Sequence, residues 1–264
     1  MTARPAPGAL FGEHSVSWRL VSRWTVLLGG PAAVLLQVAH PSVGAGVSQH
    51  SSYAEDALGR LERTLSAMLA ISFGSPERRE AVLAELRSLH QPVVGTRDDG
   101  VPYRALDPEL QLWVWATLGY VALEVERRYV HRLTHDDRKQ YYLESTELAR
   151  CFRVPERLIP ADLEAFERYV ADTIAGLEVT ADALETKDGI MRPRLGPIPP
   201  GLFAPAEWVT VDLLGPELAS AFGFAPLTSA QRRLVRTSKG VGRQLLPRLP
   251  EPLLSNPLNK RSIA

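Results

Sequence analysis

Residues 107–132 read DPELQLWVWATLGYVALEVERRYVHR, and the reading of this stretch decides the fold. Asp107 can cap a helix that begins at Pro108, where the missing N–H costs nothing, and Glu109 puts a negative charge into the first turn. Behind this start runs an apolar segment much longer than a strand, with Trp113, Trp115 and Tyr120 as core aromatics. The same kind of start recurs along the chain. Ser75-Pro76-Glu77 repeats the cap-proline-acid pattern, Thr134 precedes Asp136 and Asp137, and Pro160-Ala161-Asp162 opens another acidic first turn. These signals predict helices over roughly 15–29, 31–40, 55–73, 76–90, 107–132, 135–150, 160–177, 206–222 and 228–246. Strand signals are confined to Val93-Val94 and Glu178-Val179-Thr180, and neither alternates for long. The expected fold is all-α: a single, mainly helical, bundle-like domain over 15–246, with a loose N-terminus (1–14) and an irregular tail (247–264). The proline-rich stretch Met191–Pro205 is expected to cover or connect within that domain, because 206–246 alone is too small to hold a large core.

Composition narrows the function classes. The chain has 264 residues, 45% of them hydrophobic, enough for a sizeable core. Thirty basic residues balance thirty acidic ones, so the overall charge makes no case for nucleic acid or an anionic membrane, although a local basic patch stays open. With Cys151 as its one cysteine the chain has no intrachain disulfide, which suggests a reducing compartment. No signal peptide is recognisable at the N-terminus, and the expected location is cytoplasmic. The apolar run Trp24–Val38 is broken by Gly29, Gly30 and Pro31 and is too short to span a bilayer, so no integral membrane segment is expected.

Chemistry-bearing residues gather between Leu35 and His90. The stretch 35–64 reads LLQVAHPSVGAGVSQHSSYAEDALGRLERT and holds His40 and His50; SLHQPVVG follows at 88–95 with His90. Arg60, Arg63 and Thr64 stand three and four residues apart, so they share a helix face that could grip a carboxylate or phosphate-like group, or simply face solvent. His40 precedes Pro41 and either points into a cavity or caps the helix it ends. His50 follows the small-residue run Gly44–Ser48, and His90 ends a helix before Gln91-Pro92, where a lone histidine is as readily structural as a ligand. A non-haem metal site from His40, His50, His90 and Asp56 is conceivable but lacks a familiar ligand spacing. Gly44-Ala45-Gly46 fails as a dinucleotide fingerprint, with Gln49 where a third glycine belongs. Cys151 reads as a core thiol, and His131 and His135 as surface residues separated by the cap at Thr134.

The motifs follow one another in a definite order: L-L-Q-x-x-H-P, G-V-x-x-H-S, R-x-x-R-T, H-x-x-V-x-G, then Y-x-A-x-D-P-E-L-x-L-W-V and a Tyr141-Tyr142 helix. In this order they resemble the MpaB/latex-clearing-protein family, whose members include haem b oxygenases that cleave carbon–carbon double bonds in isoprenoid chains. The resemblance covers roughly residues 15–175. It implies a helical bundle enclosing haem b, His90 as the iron ligand, and Arg60, Arg63 and Thr64 in the cofactor pocket, with Arg60 and Thr64 in the catalytic roles. His40 and His50 would line that pocket. The partners implied are dioxygen and an apolar small molecule. Two positions depart from the family pattern. Trp115 stands where many relatives carry a histidine in W-V-H-A-T, and Val94 stands where a basic residue often follows the ligand histidine. The catalytic glutamate of the rubber-cleaving members has no clear counterpart, since only Glu55 and Asp56 lie just upstream of Arg60. These departures keep two alternatives open: a haem-binding or sensing protein without turnover, and a cofactor-free helical scaffold.

Overall fold

In the computed structural model, which describes residues 4–50, 57–191 and 204–263, the chain is mostly helical, with one small two-stranded sheet among the described residues. Helix α1 (Val16–Val21) is capped by the Ser15 hydroxyl, and a 3-10 turn over Trp24–Gly29 leads into α2 (Gly30–Ala39). The expected loop after His40 is a helix instead: α3 (Pro41–His50) starts at once, with Pro41 in its first turn. An extended His40 backbone turns the axis by 103°. Two glycines within α3 do not prevent the helix, because they let it pack closely; a Cβ at Gly44 would sit 2.7 Å from the Val38 carbonyl oxygen.

Helices α4 (Ala57–Phe73) and α5 (Pro76–His90) form a hairpin across Gly74-Ser75, and the Ser75 hydroxyl caps α5 as its sequence predicts. Strands β1 (Val94–Thr96) and β2 (Pro102–Arg104) then pair antiparallel, with Gly95 opposite Tyr103. Helix α6 (Pro108–Val125), capped by Asp107, is the spine of the molecule. Trp113 faces one core with α2, and Trp115 faces a second with α7 (His135–Cys151) and α8 (Leu163–Ala175). A helix apolar on every side must be enclosed on every side. The predicted continuation to 132 is a π-turn over Glu126–Val130, closed by His131 in the left-handed region (φ 58°).

Glu178–Thr180, which hinted at a short strand, is irregular backbone ahead of helix α9 (Ala181–Met191). The Thr180 hydroxyl accepts from the Ala183 N–H at 3.4 Å, so this stretch leads into a helix start. The single helix expected over 206–222 is two, α10 (Ala204–Leu214) and α11 (Pro216–Ala221), because Gly215 takes φ +81° ahead of Pro216. Helix α12 (Ser229–Leu245) begins with a Thr228–Gln231 capping box. The tail expected to be irregular holds α13 (Glu251–Leu254) and α14 (Asn259–Ile263), which dock on the body. Asn256 N–H and Asn259 Nδ2 both donate to the Ser22 carbonyl at 2.7 Å, and Ile263 is buried beside Leu69 and Phe73. The N-terminal residues are likewise tied down: the Ala6 and Phe11 N–H groups donate to the carbonyls of Phe73 and Ser72, and Phe11 is buried. Among the described residues no single helix is long and apolar enough to cross a membrane.

Candidate functional site

Helix α5 ends at His90, four residues before Val94, whose carbonyl is bonded by His50 at the end of α3. The two members of the α4–α5 hairpin pack through Ala67, Met68 and Ile71 on one side and Val82, Leu83 and Leu86 on the other. Thr64 lies one turn before Met68, and His90 lies one turn after Leu86, so an antiparallel hairpin sets both at the same end. Arg63 and Thr64 are exposed there; Arg60 shares the same helical stretch, and its side chain lies outside the described residues. Glu55 and Asp56 also lie outside them.

His90 is exposed and its ring has a defined partner. Nδ1–H donates to the Leu86 carbonyl at 2.7 Å, one turn back on its own helix. In a neutral ring this bond selects the Nδ1–H tautomer and leaves Nε2 as the nitrogen with a lone pair, the form in which an imidazole can ligate a metal. The chain stops there because Gln91-Pro92 ends α5, and β1 begins a few residues later.

His50 reaches the same end from α3. Its Nε2–H donates to the Val94 carbonyl at 3.1 Å, and its ring meets Tyr103 edge-on at 6.4 Å. Tyr103 OH donates to Gln49 Oε1 at 2.7 Å, while Gln49 Nε2 donates to the Thr96 carbonyl at 3.2 Å. These bonds clamp the end of α3 to the β-hairpin. A Cβ at Gly95 would lie 2.6 Å from the Tyr103 hydroxyl, so the clamp requires glycine at that position. Reading the histidines alone missed Gln49 and Tyr103; the signal was the position of Tyr103 at the head of the Y-x-A-x-D-P-E-L motif.

His40 stands apart from this group. It and His50 flank the length of α3, about 15 Å for a helix of this size, so the two do not ligate one metal. His40 is half-buried, and its Nδ1 is buried with no hydrogen-bond partner among the described residues. Burial lowers its pKa from the ordinary histidine value and the Arg97 charge lowers it further. Among the described residues no group of three or more His, Cys, Asp or Glu side chains could hold a metal ion, so the non-haem site with His40, His50 and His90 finds no support there.

The remaining candidates have structural roles. Trp115 Nε1 donates to the Ser145 carbonyl at 2.8 Å inside a cluster with Tyr142 and Phe166. The family's histidine position is therefore filled here by a packed core aromatic. Cys151 is partly buried beside Ala70 and Val82, and desolvation raises its pKa, which makes it a poor nucleophile. His131 and His135 are exposed on either side of the Thr134 cap. What the described geometry can offer is one oriented imidazole at a helix end, with an arginine and a threonine on the adjoining helix.

Comparison with known proteins bears on this arrangement. Residues 18–243 match the family described as ER-bound oxygenase mpaB/B'/Rubber oxygenase, catalytic domain. Two uncharacterised proteins, from Mycobacterium bovis and Mycobacterium tuberculosis, are each 28% identical to the chain over 217 residues, covering 77% of this chain and 82% of theirs. No solved structure matches. With most of its length matched and the ordered motifs in place, the chain belongs to the mpaB/rubber oxygenase catalytic-domain family, a family of oxygenases.

Proposed function

We propose that the protein is a haem b-dependent oxygenase acting on a small or medium apolar, alkene-containing substrate, and that His90 is the residue that would hold the iron. The observation that carries this reading is the His90 ring, whose Nδ1–H is committed to the Leu86 carbonyl and whose Nε2 keeps its lone pair. One protein ligand is enough for an iron that brings its own equatorial nitrogens, whereas a metal held by protein groups alone needs several. The described residues therefore fit haem better than a bare metal ion.

The haem, when bound, would supply the activation of dioxygen. The chain would supply position and polarity. The Leu86 carbonyl would hold the imidazole in one orientation and raise its basicity. Arg60 and Arg63 would offer guanidinium groups to the propionate carboxylates, since a guanidinium and a carboxylate make charge-assisted hydrogen bonds. The Thr64 hydroxyl would offer the bound group a hydrogen-bond donor from α4. His50 would bound the site by keeping α3 closed on β1. His40, a helix length away, would serve as a wall residue in its neutral form.

The test is the absorption spectrum and haemochrome content of protein purified from haem-supplemented cells, followed by oxygen uptake with apolar alkenes. The expected result is a Soret band with stoichiometric haem b, lost in His90→Ala, and oxygen consumed with substrate. A colourless wild-type protein that also refuses added hemin would overturn the reading. Packed Trp115 in place of the family histidine favours a second reading, haem binding without turnover. A haem-loaded protein that never consumes oxygen would select it.

A further inference from the structure

Charge is balanced over the whole chain but not along it. From Leu218 to Pro250 there is no aspartate or glutamate, while Arg232, Arg233, Arg236, Lys239, Arg243 and Arg248 are all basic. Most of this stretch is α12, which is docked along one side. Val235 is buried, Lys239 Nζ donates to Asp212 Oδ1 at 2.6 Å, and Arg243 Nε donates to the Arg128 carbonyl at 3.0 Å. A Cβ at Gly242 would overlap the Tyr129 carbonyl oxygen, so the helix backbone lies directly on the π-turn.

The docked side leaves an apolar edge in the open. Leu234, Val241 and Leu245 recur at i, i+7 and i+11, which places them on one line of the helix. They are 56%, 47% and 55% exposed, and Leu249 and Leu253, just beyond the helix, are 37% and 63% exposed. Arg233 and Arg236 are exposed on the same helix, and no carboxylate of the described residues pairs with either. A helix with an apolar edge, two unpaired guanidinium groups and no acid has the composition of an interfacial helix, which lies in the plane of a lipid surface. An apolar protein partner would satisfy the leucines, but only an anionic surface also satisfies the unpaired arginines.

We propose that α12 and the turn after it form a peripheral docking surface for an anionic lipid membrane. The leucine edge would enter the headgroup boundary, and the arginines would pair with lipid phosphates. This surface does not depend on a bound cofactor. The test is co-sedimentation of the full chain with phosphatidylcholine vesicles, with and without phosphatidylglycerol, at low and high salt. Binding should be at least about tenfold stronger to the anionic vesicles and should weaken as salt rises. Leu234→Gln with Leu245→Gln should reduce it about tenfold, as should Arg233→Glu with Arg236→Glu; all four side chains are exposed, and unchanged circular dichroism checks the fold. Equal binding to neutral and anionic vesicles, or wild-type binding by both variants, would overturn the proposal. So would a protein that ignores vesicles and instead forms a concentration-dependent dimer broken by the leucine changes, which would make the edge a seam between copies.

Discussion

Helix α6 and the α4–α5 hairpin use the same helical geometry for opposite ends. Nearly every side chain of α6 beyond its first turn is enclosed, and the indole N–H groups of Trp113 and Trp115 each find a carbonyl, at Leu36 and Ser145. The hairpin buries Ala70 and Ile71 against Val82 and Leu83, and leaves Arg63, Thr64 and His90 exposed. The difference is what the proposed function expects, with stability carried by the first region and a ligand-accessible end offered by the second. Side chains that interlock on all sides cannot change without loss of packing, whereas a ligand must be reached from outside.

Substitutions can break this division if it is wrong. The largest effect expected is that of Trp115→Ala, which empties the Tyr142–Phe166 cluster and leaves the Ser145 carbonyl without its donor. It should cost about 3–5 kcal/mol in urea unfolding, and Trp115→Phe should recover most of that. Glu126→Ala comes next. Its buried carboxylate accepts the N–H groups of Arg132 and Leu133 beyond the π-turn, and its removal should cost about 1–3 kcal/mol by the same measurement. His90→Ala should reverse the pattern, changing stability by no more than about 0.5 kcal/mol while abolishing cofactor retention. A His90→Ala protein as destabilised as Trp115→Ala would show that the hairpin end is structural after all.

The smallest expected effect is pH-dependent and sharpens the contrast between the two ends of α3. His40 has its folded pKa lowered, chiefly by burial and then by Arg97, so the unfolded chain takes up its proton more readily. Stability from this group is present above the ordinary histidine pKa near 6.5 and is lost as pH falls below it. Chemical denaturation of wild type and His40→Asn between neutral and mildly acidic pH should give curves that converge on acidification. Parallel curves would mean that His40 is not held neutral.

The helices with written starts were legible because capping is local. Ser75, Asp107 and Thr134 announce α5, α6 and α7 within four residues, and each side chain makes the cap bond its position suggests. Helices α3 and α9 were not legible. Pro41 with two following glycines reads as a loop, whereas in α3 Gly44 allows close contact with Val38 of α2 and Thr180 ahead of α9, and Gly46 faces Tyr103. The break at Gly215 and the docking of 251–263 were hidden for a related reason. A positive φ and a carbonyl such as that of Ser22 become visible only when distant segments meet.

Within the site, the sequence pointed to His90, Arg60, Arg63 and Thr64 as one group through the order and spacing of motifs, and to His40 and His50 as two more members. It could not rank them. Tertiary structure ties His50 to the β-hairpin, sets His40 at the far end of a helix, and gives His90 the carbonyl that orients its ring. It also decides which side of α12 is open, and so where its unpaired basic charge and leucines face. The reason is physical. Caps, helical periods and residue types are fixed within a few neighbours along the chain, whereas burial, tautomer and ion pairing depend on which groups, remote in sequence, the packing brings within a few ångströms.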